Sequence, residues 1–210
     1  MQKTYLCIDL KSFYASVECV ELGLDPFKVN LVVADPTRGG GAITLAATPA
    51  IKKLGVSSRG RIFEIDPKIE YMMAPPRMHL YMEYSCKVYK VFLEFIAKED
   101  IHVYSIDESF LDITSYLKLY QVNAKELAKK ILDRIYEKTG LTATVGIGTN
   151  LYLAKIAMDI SAKHNADRMA YLNEDLYRQT LWHHVPLTDF WMLGNGTERR
   201  LHKLGIYDMY

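Results

Sequence analysis

Tyr104-Ser105-Ile106-Asp107-Glu108-Ser109-Phe110-Leu111-Asp112 is the stretch on which the reading of this chain turns. Ile101-His102-Val103-Tyr104 and Phe110-Leu111-Asp112-Ile113 read as two short strands. The four-to-five-residue connection between them, carrying Asp107 and Glu108, has hairpin length. An isolated acidic pair in a hairpin ordinarily decorates a solvated turn. A distant feature changes that reading: the apolar run Tyr5-Leu6-Cys7-Ile8 is consistent with a buried strand ending at Asp9. If these strands are sheet neighbours, three carboxylates meet at one edge, repel one another and rise in pKa unless cations neutralise them. Oxygen-only ligands favour Mg²⁺ or Mn²⁺ over zinc. Two such ions, about 3.5–4 Å apart, clamp the attacking and leaving oxygens of a phosphoryl transfer. This chemistry needs Asp9 within about 10 Å of Asp107 and Glu108.

Outward from these strands, Phe13, Val17 and Val20 have helical spacing. Leu31-Val32-Val33-Ala34 predicts a strand closed by Asp35-Pro36, and Arg38-Gly39-Gly40-Gly41 a loop from which a strand leaves over Ala42 to Ala46. Pro49 suits the first turn of a helix ending near Gly55. The pattern is then irregular as far as Pro75-Pro76. Residues 80–97 read as a long amphipathic helix, and about Ala124 to Lys138 as another, striped by Leu127, Ile131 and Ile135. Thr142 to Ile147 predicts a strand, Leu151 to Ala162 a helix, Arg168 to Leu172 a strand, and two or three short helices follow. The order from 77 to 150, with the first strand, resembles a ferredoxin-like split βαβ sheet covered by helices. Residues 25–73 are an insertion, and the fold class is α+β.

At 210 residues, 50% hydrophobic and 24% charged, the chain can bury a core without staples. Its net charge of +1 does not by itself point to a polyanionic partner. Cys7, Cys19 and Cys86 show no metal-ligand spacing, which suits a reduced, cytoplasmic protein. There is no signal-peptide pattern and no run of 18 apolar residues, so no membrane span is expected.

Three strings carry a family resemblance. Cys7-Ile8-Asp9-Leu10-Lys11-Ser12-Phe13-Tyr14-Ala15-Ser16-Val17-Glu18 resembles the N-terminal motif of Y-family (UmuC/DinB-like) translesion DNA polymerases. Tyr104 to Asp112 is similar to the second catalytic motif. Thr144-Val145-Gly146-Ile147-Gly148-Thr149-Asn150, leading to Leu153-Ala154-Lys155-Ile156-Ala157, is similar to the third. Order and spacing match, the flavour is UmuC-like, and the resemblance extends over essentially the whole chain.

The resemblance implies a right-hand polymerase: a catalytic palm over 1–24 and 74–165, small fingers over 25–73, and a partial thumb over 166–210. It implies error-prone, template-directed lesion bypass in DNA repair and the SOS response. Asp9, Asp107, Glu108 and the Leu10 carbonyl correspond to the ligands of two Mg²⁺ ions, with Mn²⁺ an alternative. Tyr14 matches the steric gate that rejects a ribose 2′-hydroxyl. The Phe13 and Tyr14 amides, Lys52 and Lys155 match contacts to the dNTP triphosphate. Phe190 to Gly196 and Leu201 to Ile206 look like the thumb's helix-hairpin-helix, in which Gly194, Gly196, Arg199 and Arg200, with Lys203, face primer-template DNA through its phosphates. The resemblance implies a basic little-finger domain as well, which is expected to lie outside this chain. The expectation is therefore an N-terminal catalytic fragment that binds DNA weakly and polymerises weakly or not at all, any sliding clamp or recombinase filament being met through the missing region.

The sequence departs from the family pattern at three places. Pro49 stands where many relatives have a tyrosine and Ala46 where they have a threonine, leaving Thr44 or Thr48 as substitutes; Met192 replaces the first glycine of the hairpin turn. Gly146-x-Gly148 is no dinucleotide fingerprint, because it lacks a third glycine and an acidic partner. His183 and His184, adjacent in sequence, point about 100° apart on a helix and make a poor metal pair. Tyr81 and Ser85 are assigned to packing. Two other readings compete: a non-catalytic Y-family-like accessory factor, against which the intact acidic set counts, and a nucleotidyl cyclase-like palm enzyme, against which Phe13-Tyr14 and the hairpin count.

Overall fold

The computed structural model describes residues 2–210. The elements in chain order are β1 (Tyr5–Leu10), α1 (Phe13–Glu21), β2 (Leu31–Val33), β3 (Ala46–Ala47), α2 (Pro49–Lys52), β4 (Met72–Ala74), α3 (Met78–Leu93), β5 (Ile101–Val103), β6 (Glu108–Asp112), α4 (Thr114–Tyr120), α5 (Ala124–Thr139), β7 (Ala143–Gly148), α6 (Leu151–Ile156), β8 (Met169–Leu172), α7 (Glu174–Leu181) and α8 (Asn195–Lys203). The residues group into two compact units. One comprises residues 2–9, Phe92–Asp133 and Ala143–Tyr210; the other comprises Leu10–Val91 and Arg134–Thr142.

The first unit is built on a five-stranded sheet of order β5-β6-β1-β7-β8. β1 and β6 are antiparallel, running from Tyr5 opposite Asp112 to Asp9 opposite Glu108. β5 and β6 form the expected hairpin, but Glu108 belongs to strand β6 rather than to the connection, and it is buried. β7 and β8 are parallel. Cys7, Phe110, Ala154 and Met158 pack into one buried cluster, which holds α6 against the sheet. A second cluster of Leu153, Ile156, Leu172, Leu181, Leu187 and Phe190 joins the C-terminal segment to the same helix.

Gly146 and Gly148 explain that close packing. A Cβ on Gly146 would strike the Ala154 carbonyl oxygen and the Met158 amide, and one on Gly148 would strike the Ala154 amide. These glycines let a helix backbone lie directly on a strand backbone.

The second unit contains a three-stranded sheet of order β3-β2-β4, with β2 antiparallel to β3 and parallel to β4. Val32, Ala47, Ile51, Val56 and Ile65 form its core. The strand expected over Ala42 to Ala46 is instead the two-residue β3. The preceding glycines close a 3-10 turn over Pro36–Gly41, and Ile43 makes an isolated bridge to Arg61. β4 lies in the stretch that reads as irregular. The helix expected over residues 80–97 runs from Met78 to Leu93, after which the Phe95 and Ile96 amides both bond back to the Phe92 carbonyl and tuck Ile96 into the core. α4 has no expected counterpart; its first turn is tied down by the Thr114 N–H donating to the Asp112 carboxylate at 3.0 Å. Among the described residues no helix is long and apolar enough to cross a membrane.

Candidate active site

Antiparallel register determines where the acids go. Asp9 and Glu108 are directly opposed across β1 and β6, which puts their Cα atoms about 4.5–5.5 Å apart. Asp107 precedes Glu108 at the strand mouth. The turn is tight: the Tyr104 and Ser105 amides both donate to the Glu108 carbonyl at 3.0 Å. The Ser105 hydroxyl donates to Asp107 Oδ1 at 2.7 Å.

Glu108, 8% exposed, spends both oxygens on protein donors. The Cys7 thiol donates to Oε1 at 3.2 Å, and the Lys155 ammonium donates to Oε2 at 2.8 Å. Lys155 is itself 7% exposed and also pairs with Asp159 at 3.0 Å; Asp159 then pairs with the exposed Lys163 at 2.8 Å. Lys155 is therefore neither a solvated surface lysine nor free to meet an outside anion in this state. Burial works against its charge, but the hydrogen bond it donates to Glu108 and the charge of Asp159 hold its pKa above the ordinary lysine value. Lys155, Asp159 and Lys163 recur every four residues, which was readable as helix-face spacing. A π turn over Ala157–Ser161 carries Asp159, a device frequent at functional sites.

Burial pushes Asp9 up to about 6, with Lys163 opposing the rise and the charges of Asp107 and Glu108 adding to it. A half-buried carboxylate destabilised by desolvation and by its acidic neighbours is a site that a hard cation relieves. With Asp107 and Glu108, Asp9 offers oxygen donors alone. The donor chemistry thus fits Mg²⁺ or Mn²⁺. Among the described residues no three His, Cys, Asp or Glu side chains are already gathered as a metal cage, in keeping with Glu108 being held by Lys155.

In the second unit, Phe13 is buried and Tyr14 half-buried at the start of α1, where Ser12 offers no side-chain cap. The Lys52 ammonium donates to the Ser12 hydroxyl at 3.0 Å, so Lys52 and the first turn of α1 are brought together. The Tyr14 ring stacks on Tyr81, with centroids 4.3 Å apart and planes at 12°. Tyr81 does pack, as expected, but its role is more specific. Its hydroxyl donates to Glu18 at 2.7 Å, and Arg77 grips the same buried carboxylate at 3.0 and 2.6 Å. Of the two substitute threonines, Thr48 is consumed by structure: it is fully buried, donates to the Val29 carbonyl and accepts from the Leu31 amide. The buried Thr44 hydroxyl has no hydrogen-bond partner among the described residues.

In the C-terminal segment, the element before the expected hairpin is only a 3-10 turn, Leu187–Asp189. Met192 adopts φ 71 and is 79% exposed, so the turn keeps the left-handed geometry that a glycine favours, without the glycine. Gly194 caps α8, and no atom lies within 4 Å of a Cβ built on Gly194 or Gly196. Arg199 and Arg200 are exposed on α8. His183 and His184 bind separate partners, Asp208 and Asp189, each at 2.8 Å.

The model of the impB/mucB/samB family matches residues 8–159, spanning all three motifs. The chain belongs to the impB/mucB/samB family. It is 38% identical to the UV-damage repair protein UvrX of Bacillus subtilis (strain 168) over 208 residues, covering 98% of this chain and 48% of that protein. It is 35% identical to DNA polymerase IV 2 of the same organism, covering 98% of this chain and 49% of the relative. The chain thus spans about half the length of the curated relatives it matches. Among solved structures it resembles DinB from Sulfolobus solfataricus (TM-score 0.77, 27% identity, 98% of this chain and 58% of that one). The insertion ternary complex of Dbh DNA polymerase resembles it at TM-score 0.80 with the same identity and coverage.

Proposed function

We propose that this chain carries the catalytic core of a template-directed, error-prone DNA polymerase of the lesion-bypass type, acting on primer-template DNA and dNTPs. The observation that carries the reading is the opposition of Asp9 and Glu108 across two strands, with Asp107 beside them, inside the matched family region. The proposed division is palm over 1–24 and 74–165, fingers over 25–73, and partial thumb over 166–210.

Asp9, Asp107, Glu108 and the Leu10 carbonyl hold two divalent ions in this proposal, Mg²⁺ in the first place. Bound there, the ions supply charge neutralisation and activation of the attacking hydroxyl. The protein's own groups do the rest. The sheet register brings Asp9 and Glu108 to one edge before substrate arrives, and freeing Glu108 from Lys155 is the reorganisation that remains. Lys155 balances Glu108 in the absence of other cations and, once released, turns to the triphosphate. Tyr14, stiffened by its stack on Tyr81, filters the sugar. Lys52 and the Phe13 and Tyr14 amides take phosphate oxygens. Gly194, Gly196, Arg199 and Arg200 seat DNA phosphate without reading sequence.

Primer extension by the protein carrying this chain tests the reading. dNTP incorporation that Asp107→Ala abolishes supports it, and Tyr14→Ala then admits ribonucleotides. Incorporation that survives Asp107→Ala refutes the catalytic role. Unchanged sugar discrimination in Tyr14→Ala refutes the gate.

A further inference from the structure

Trp191 sits one residue before the left-handed Met192 in the hairpin turn, and the family motifs give it no role. Its surroundings are specific. Its indole Nε1–H donates to the Tyr104 hydroxyl at 3.3 Å, and the two rings meet edge to face with centroids 5.8 Å apart at 80°. On another side its ring lies 6.4 Å from that of Tyr152 in α6. Tyr104 makes a second edge-to-face contact, 5.8 Å from Phe110, which belongs to the buried cluster of Cys7. Trp191 is half-buried and Tyr104 45% exposed, and edge-to-face pairs with a hydrogen bond are directional as well as cohesive.

Tyr104 is no ordinary anchor. Its amide shares one acceptor, the Glu108 carbonyl, with the Ser105 amide, and Ser105 holds Asp107. The backbone at Tyr104 and the backbone at Glu108 are therefore one tight turn. A force on the Tyr104 ring is a force on the turn that presents both acids. At the other end, the Leu193 amide bonds to the Phe190 carbonyl, and the Thr197 and Glu198 amides both bond to the Gly194 carbonyl. With Phe190 buried, Trp191 is joined to the start of α8 through an anchored, hydrogen-bonded turn.

We propose that Trp191 is a positioning residue which, through Tyr104, couples the DNA-seating hairpin to the turn carrying Asp107 and Glu108. Correctly seated duplex then favours the productive placement of the acids, and poorly seated duplex does not. The inference rests on the polymerase reading of the site and adds to it a route by which DNA seating reaches the chemistry.

Single-turnover dNTP incorporation by the protein carrying this chain tests it, with Trp191→Phe and Tyr104→Phe alone and together. Both variants keep a ring in place, and melting curves verify the fold. Each single variant slows the maximal rate roughly three- to tenfold, the scale of one aromatic contact and its hydrogen bond, while dNTP and DNA affinities stay within about twofold. Because the two act as one unit, the double variant is no slower than the slower single by more than about twofold. Multiplying losses, or a loss confined to DNA affinity, overturn the coupling. If the wild-type protein incorporates no dNTP, the polymerase reading itself falls. The coupling is then read from Trp191 fluorescence in a Trp182→Phe background. A primer-template-dependent emission change that disappears in Tyr104→Phe supports it, and DNA binding with no Tyr104-dependent change sinks it.

Discussion

The acidic edge of the five-stranded sheet and the Ala46–Lys52 region of the three-stranded sheet are built on opposite plans. At the acidic edge, position follows from pairing: once β1 and β6 are in register, Asp9 has to face Glu108. A slip of one residue would send every side chain of the strand to the other face. In the other region the elements are two and four residues long, and what each side chain does depends on local detail. Thr48 is consumed by backbone contacts there, while Lys52 reaches Ser12. A position determined by register leaves little room for substitution. Single reaching side chains leave more, and Pro49 and Ala46, where the sequence departs from the family pattern, both lie in the second region.

The largest test of that contrast compares Asp107→Ala with Lys52→Ala in dNTP incorporation. Losing an acid at the register-determined edge lowers kcat by about a thousandfold or more, the scale of removing an electrostatic catalytic group. Losing Lys52 raises KM for dNTP by roughly tenfold and leaves kcat nearly intact, as removal of a binding contact does. Equal effects on kcat would erase the distinction.

Next in size is the packing beneath the edge. Gly148→Ala drives a Cβ into the Ala154 backbone and destabilises the fold by roughly 3 kcal/mol or more in urea unfolding. Gly196→Ala, whose Cβ meets nothing, is neutral or adds up to about 1 kcal/mol through helix propensity. A tolerant Gly148 would mean that α6 is not held by close backbone approach.

A smaller effect has a definite sign in pH. Asp9 is raised from 3.8 to about 6 in the folded protein, so the folded state holds this proton more tightly than the unfolded one. Its contribution favours folding at low pH and is lost as pH rises from about 4 through about 6. Asp9→Asn removes that loss, so above pH 6 and without divalent ions the variant melts higher than the wild type, while the two converge towards pH 4. Added Mg²⁺ or Mn²⁺ narrows the gap by stabilising the wild type more than the variant. A variant that melts lower at pH 7.5 without metal contradicts the picture of mutually repelling acids.

Much of this was legible in the sequence, for reasons that differ by element. The stripe of Leu127, Ile131 and Ile135 reports α5 because a long amphipathic helix repeats its signal. The three motifs report the acids because chemistry restricts residue type. The sequence does not disclose Glu108 as a strand residue, since hairpin boundaries depend on which amides share the Glu108 carbonyl. Nor does it disclose Lys155 as the partner of Glu108, a contact between residues 47 apart that exists because two glycines admit a helix backbone. β4 escapes notice because three residues carry too little periodicity, and the stack of Tyr81 on Tyr14 because nothing local links the two.

The smallest expected effect concerns the hairpin. Met192 holds φ 71, a region costing a non-glycine residue about 1–2 kcal/mol. Glycine's greater freedom in the unfolded chain cancels part of the gain. Met192→Gly therefore raises stability by at most about 1 kcal/mol in denaturant unfolding. A clear loss would show that the Met192 side chain makes a contact worth more than the strain.

The gathering of divalent cations by Asp9, Asp107 and Glu108 at one sheet edge is what the proposed chemistry stands on. Electron paramagnetic resonance of Mn²⁺ titrated into this protein with dNTP present addresses it most directly. Saturable binding is expected, weakened by about tenfold or more in Asp9→Asn or Asp107→Asn, the penalty for losing a charged ligand. Mn²⁺ affinity indifferent to both substitutions would contradict it.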